Sequence, residues 1–228
     1  MNDETQSQTI LTPEQVRVLA SLMEKHLATP KNYPLTPNSL TSACNQKSNR
    51  APVMSMEEGK VVSNAQKLKE MGFVSIDYGD RIVKFSHRAP GMLKVTREEQ
   101  AVLAMLMLRE PLTLNDIKAR TEKMVAFESI EKVRDAVQQL IGRSPALVME
   151  LPVAVGQREE RYTHLLGGEP DLSAINVKPN KAPSANSSAN KAQAVRISEL
   201  EARIARLEEA LDMQWDSAGD ESTSLSSE

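Results

Sequence analysis

Aromatic side chains make up 3% of this 228-residue chain, so a core built from it has to be aliphatic; 40% of the residues are hydrophobic and 11 are Met. Cysteine is scarcer still. Cys44 stands alone, which excludes an intramolecular disulfide framework and a thiolate metal cluster. No apolar run approaches the roughly 18 residues that a membrane-spanning helix requires. Residues Met1 to Ile10 are polar, with neither a basic n-region nor an apolar h-region, and a cytoplasmic protein is expected. Neither sign of charge dominates: the net charge is −3 and the isoelectric point about 5.8. Nucleic-acid binding would therefore have to come from a local patch. The net charge is +2 over residues 1–91, −1 over 92–169 and −4 over 170–228, so the excess acid sits in the tail.

Recognisable catalytic patterns are also missing. His26, His87 and His164 are dispersed, and there is no HExxH, no CxxC and no histidine pair at i, i+4. Cys44 ends a short apolar helix, where a lone Cys reads as a small core residue rather than a nucleophile. The segment GQREERY has one glycine before mixed charges and cannot cradle a phosphate as a P-loop does. The pairs Glu57-Glu58 and Glu98-Glu99 fall in first helical turns, where negative charge complements the macrodipole. We expect no enzyme, no metal site and no cofactor.

What the chain does have is clear punctuation. In LTPEQVRVLASLMEKHL, Thr12 is an N-cap, Pro13 sits at N1 and Gln15 at N3, with Leu11 and Val16 placed as a hydrophobic staple. Val16, Leu19, Ala20, Met23 and Leu27 then recur at helical spacing as a buried stripe. PLTPNSLTSAC repeats the device with Thr36 as cap and Pro37 at N1. SMEEGKVVSNAQKLKEMG offers Ser55 and Glu58 as a capping box, Val61, Val62, Ala65, Leu68 and Met71 as a stripe, and Gly72 as the stop. The period then changes from 3.6 to 2. FVSIDYGDRIVKFSH reads as a hairpin turning at Gly79 and Asp80, with Phe73, Val74 or Ile76, Ile82 and Phe85 available for a half-buried face. Three helices followed by a hairpin is the order of a winged helix-turn-helix.

The order occurs twice. Thr96 aligns with Thr12, Val102-Leu103-Ala104 with Val18-Leu19-Ala20, and Pro111-Leu112-Thr113 with Pro34-Leu35-Thr36. A third helix from Ser129, with Val133, Val137, Leu140 and Ile141 inward, and a strand-turn-strand in ALVMELPVAVGQREERYTHLL complete the second copy. The expected fold class is mainly α with small β-hairpins (α+β): tandem winged-helix domains at residues 11–91 and 92–169, after a disordered 1–10. Residues 170–194, rich in Pro, Asn, Ser, Lys and Ala, read as a flexible linker. At 195–215, Ile197, Leu200, Ile204, Leu207 and Leu211 alternate by three and four, the seam of a coiled-coil-like helix. So short a helix is marginal alone, and the simplest partner for its seam is a second copy, giving a homo-oligomer. Residues 216–228 form an acidic tail.

LTPEQVRVL, YPLTPNSLTSACNQKSNRAPVM, VKFSHR and GQREERYTHLLGGEP together resemble the YceH-like bacterial proteins, whose core is a domain of unknown function. The resemblance covers about residues 10 to 170, and the CNQKSNR segment is its most specific part. It implies tandem winged-helix domains in a cytoplasmic bacterial protein and implies no activity.

Within that frame, the polar segment from Asn45 to Arg50 joins the second helix to the third, and two readings of it stay open. In the first, Lys47 and Arg50 contact phosphates, Asn45, Gln46 and Asn49 bond to base edges or sugars, Lys60, Asn64 and Lys67 present the third helix, and Arg81, Lys84 and Arg88 hold the flanking backbone. In the second, Asn45 and Asn49 satisfy backbone groups of a long turn. Glu57 and Glu58 weigh against DNA at that helix start. Glu128, Glu131, Lys132, Arg134 and Asp135 leave the equivalent face of the second copy nearly neutral. The expected function is a DNA-binding or transcription-regulatory protein. The alternative is a non-enzymatic adaptor of a chromosome-associated or other cytoplasmic complex, with a protein partner.

Overall fold

The computed structural model describes residues 10–79, 82–109, 111–153, 159–170 and 203. The chain divides into two units, residues 1–177 and 178–228. The described part of the second is Arg203, which is exposed. The expected linker, the seam from Ile197 to Leu211 and the acidic tail thus lie outside the described residues.

The first unit is mainly helical with two small antiparallel hairpins. Helix α1 (Pro13–Ala28) starts where the sequence requires: the Thr12 hydroxyl accepts from the Gln15 N–H, and the Gln15 side chain returns the bond to the Thr12 N–H. A 3₁₀ turn (Pro30–Asn32) leads to α2 (Pro37–Cys44), capped by Thr36. Helix α3 (Glu58–Glu70) begins later than Ser55 suggests. Its N-cap is Glu57, in extended backbone and without a side-chain capping bond, while the Met56 N–H and carbonyl just before it are both bonded to the Asn45 side chain. Gly72 stops the helix at φ +85°, a conformation that glycine adopts without a Cβ penalty. Strands β1 (Val74–Tyr78) and β2 (Val83–His87) follow. Val74 and Phe85 point inward, whereas Ile82, expected on the half-buried face, is 50% exposed, and the Met71 of the expected α3 stripe is exposed too.

Helix α4 (Ala89–Leu93), which contains the expected domain boundary, leads into the second round. Its elements are α5 (Arg97–Leu108), α6 (Leu114–Thr121), α7 (Ile130–Ile141), β3 (Val148–Leu151) and β4 (Arg161–His164). Thr96 and Thr113 head capping boxes with Glu99 and Asp116. The two rounds match in detail. In each, the residue just before the α2 or α6 cap exchanges two backbone bonds with the hairpin: Leu35 with Phe85 at 3.0 and 2.8 Å, Leu112 with Tyr162 at 3.1 and 2.8 Å. Phe85 and Tyr162 are each 1% exposed, so the same bridge seats a large aromatic side chain of each hairpin in the core.

The rounds share that core. Helices α1 and α5 pack along each other, and every residue from Val18 to Met23 and from Ala101 to Leu108 is buried. In α1 the buried positions include the polar Arg17, Ser21 and Glu24 as well as the apolar stripe. Hence the single α1 stripe expected from periodicity understates its burial. Between the rounds, the Ala51 N–H donates to the Leu108 carbonyl at 3.0 Å, the Leu11 N–H to that of Leu166 at 2.8 Å, and the Gln100 amide to that of Met23 at 3.1 Å.

Candidate nucleic-acid interface

The polar connector between α2 and α3 faces the protein's own first helix. Arg17, Ser21 and Glu24 recur at i, i+4 and i+7 on α1, and the connector folds onto that polar line. Arg17 donates to the carbonyls of Cys44 (3.2 Å) and Pro52 (2.6 Å). Arg50 forks onto both Glu24 oxygens at 3.3 and 2.6 Å and donates to the carbonyls of Ala43 and Asn49. Side-chain exposure is 0% for Arg50 and 8% for Glu24. A guanidinium so enclosed cannot reach a phosphate, which corrects the expectation for Arg50. Its bonds are those of a buried ion pair whose partners complete each other.

The amides behave similarly. Asn45 donates to the Met56 carbonyl and accepts the Met56 N–H, both at 2.8 Å, so its side chain mimics a strand pairing and is spent. Gln46 accepts from Lys25 at 3.0 Å and donates to the Ser48 carbonyl and hydroxyl. Asn49 takes φ 55°, in the left-handed region that Asn tolerates better than most residues. Asn64, on α3, is 8% exposed and donates to the Lys60 carbonyl at 2.8 Å, so it too is withdrawn from any base edge. For Asn45, Arg50 and Asn64 the structural reading replaces the nucleic-acid one. Burial also pushes the Cys44 thiol up to about 11, leaving an unreactive core residue.

Other candidate residues stay at the surface. Lys47, Lys67, Lys84 and Arg88 are exposed and make no ion pair with a described residue. Arg81 lies outside the described residues. On α3, Val61, Asn64, Ala65 and Leu68 are buried, and the opposite side presents Gly59, Lys60, Ser63, Gln66, Lys67 and Glu70 to solvent. Lys60 pairs with Glu14 at 2.9 Å, with side-chain exposures of 56% and 33%. So open a pair contributes little and is readily exchanged for another anion. Beyond Gly59 there is open space. The equivalent helix α7 exposes Glu131, Lys132, Arg134, Asp135, Gln138 and Gln139, with Lys132 and Asp135 at 4.0 Å.

Two histidines far apart in sequence meet at the end of α1. His26, Tyr33 and His87 form a three-ring cluster with centroids 4.9 to 6.0 Å apart. The His87 N–H donates to the Tyr33 hydroxyl at 2.6 Å. Burial, and then the neighbouring His26, push His87 down to about 4, so its ring is neutral near pH 7. The Gln100 amide lies 3.4 Å from its Nε2. Among the described residues no group of three His, Cys, Asp or Glu side chains converges as metal ligands would, and no helix is long and apolar enough to cross a membrane.

Residues 11–157 match the family described as "Protein of unknown function, DUF480". The chain belongs to the DUF480 family. It is similar to UPF0502 proteins of Cellvibrio japonicus (38% identity over 199 residues, 87% of this chain and 91% of the relative) and Geobacter sulfurreducens (47% over 167, 72% and 76%). A UPF0502 protein of Xanthomonas campestris is 40% identical over 210 residues, 91% of this chain and 94% of the relative. The DUF480 match takes in both rounds of helices, the first hairpin and β3, and it ends before β4.

Proposed function

We propose that this protein is a tandem winged-helix DNA-binding factor that engages a duplex through α3 of the first round. One observation carries the reading: the solvent face of α3 joins Lys60 and Lys67 to the small Gly59 and Ser63 and the amide of Gln66, with its acids, Glu58 and Glu70, at the two ends of the helix, while the buried stripe opposite locks the helix in place. Small and amide side chains permit close approach to base edges, and lysines neutralise phosphates. Lys47 on the connector and Arg88 after β2 extend the same chemistry to flanking backbone. The second round, whose α7 face mixes acids with bases, serves as the scaffold that buries α1.

The test is capture of genomic duplex fragments by the full chain beside its Lys67→Glu variant. Retention by the wild type and loss by the variant supports the reading, and equal retention or none by either rejects it. A second reading, a non-enzymatic protein adaptor, rests on two large side chains near the first hairpin's turn, Tyr78 and Ile82, which are 62% and 50% exposed. Together they offer exposed apolar area to a protein. That reading takes over when no duplex is retained and Tyr78→Ser with Ile82→Ser abolishes capture of a protein partner.

A further inference from the structure

A cleft of about 710 Å³ opens beside, not on, the α3 face. Its walls are the end of α1, the 3₁₀ turn, one side of α2 along its length with Gln46 beyond it, and the middle of β2. The volume lies within the range of small-ligand sites. Three of its lining side chains, Lys25, Lys31 and Lys84, are cationic, and none is a carboxylate. Lys25 is partly engaged, by Glu24 at 3.3 Å and Gln46 at 3.0 Å. Lys31 and Lys84 are exposed and make no ion pair with a described residue.

The remaining lining is built to meet oxygen atoms. Within the first turn of α2, Pro37 has no N–H, and the N–H groups of Ser39 and Leu40 are held by the Thr36 hydroxyl and carbonyl. The Asn38 N–H makes no bond to a described residue, at the end where the helix dipole favours an anion. Tyr33 lines the cleft as a residue, and its hydroxyl accepts the His87 backbone N–H at 2.6 Å. Because burial pushes that phenol up to about 12, it stays neutral and does not repel an anion. Asn32, Asn38, Ser39 and Ser42 add amides and hydroxyls suited to a hydroxylated body.

We infer that this cleft is a binding site for a sugar phosphate, its phosphate held by Lys31, Lys84 and the Asn38 N–H and its hydroxyls by the surrounding amides. The inference does not depend on the α3 reading, since Lys31 lies off the α3 face and Lys84 on the hairpin. A sugar phosphate reaches the site either as a free small molecule or as a unit of nucleic-acid backbone, and one experiment separates the sources. The full ¹⁵N-labelled chain and its Lys31→Ala/Lys84→Ala variant are titrated with ribose 5-phosphate, with ribose at matched ionic strength, and with a short duplex, following the amides of Lys31, Asn38 and Ser39.

Saturable shifts with ribose 5-phosphate but not ribose, weakened about tenfold or more in the variant, support the site and identify a free ligand. Shifts at these amides with the duplex alone, lost in the variant, support it with backbone as the source. No saturable shift in either titration, or shifts unchanged in the variant, overturns it. Both lysines are exposed, and an unchanged melting temperature checks that the variant is folded. Duplex binding that moves α3 amides, with the cleft amides unmoved by either the duplex or ribose 5-phosphate, overturns the cleft and spares the α3 reading. Ribose 5-phosphate binding without duplex binding does the reverse.

Discussion

Glu24 is 6% exposed on a helix packed into the core, and a carboxylate so buried needs a cation of matching geometry. Arg50 supplies it from the connector. Removing one partner leaves the other charged and buried, so Arg50→Ala is expected to cost about 3–5 kcal/mol, read by chemical denaturation. Lys47→Ala, three residues away and exposed, is expected to stay within about 0.5 kcal/mol. Equal losses for the two variants would contradict the division between them. In the sequence the two cations are indistinguishable, both in a polar run after a helix. Their difference depends on Glu24, which is distant along the chain, and the available signal was the polar line Arg17, Ser21 and Glu24 on α1. His87 carries a pH prediction at the same scale. Its folded pKa, about 4, lies below the ordinary value of 6.5, so the unfolded chain binds the extra proton between those limits. The contribution is complete above pH 6.5 and is lost as pH falls toward 4, with a magnitude on the order of 2 kcal/mol after allowance for partial exposure. His87→Gln should flatten the stability profile in that window. A His87 ring that titrates near 6.5 by NMR would refute this.

Among the elements, legibility followed how local the determinant is. Thr12, Thr36, Thr96, Thr113 and Ser129 all cap the helices they precede, because a cap is settled by residues three apart. The third helix starts later than its Ser55 capping signal because Asn45, eleven residues upstream, holds Met56 through tertiary bonds. The aligned Leu35 and Leu112 foretold the duplication but not its mechanical meaning, the bridge that seats Phe85 and Tyr162. Burial of α1 on every side was likewise hidden from a search for one stripe. It leads to a prediction. A fragment of residues 10–91 exposes the α1 face that α5 covers, so it should show helical circular dichroism without dispersed methyl resonances, whereas residues 10–170 show both. A well-dispersed spectrum from the short fragment would contradict the shared core.

At the scale of the whole molecule, two rounds of one plan have taken different surfaces while building one interior. The first round leaves Lys67, Lys31 and Lys84, around α3 and the neighbouring cleft, without an ion pair to a described residue; the second gives α7 a mixed face and lends α5 to the common core. Modest net charge is compatible with nucleic-acid binding only when the cations are gathered locally, and that local gathering is the central claim. Its most direct test is the salt dependence of duplex affinity, measured by fluorescence anisotropy for the full chain and for Lys47→Ala/Lys67→Ala. Each phosphate contact contributes about 0.9 to the slope of log affinity against log salt. The account predicts binding that weakens with salt and a variant whose slope is smaller by about two. No measurable affinity at low salt, or identical slopes for the two folded proteins, would contradict it.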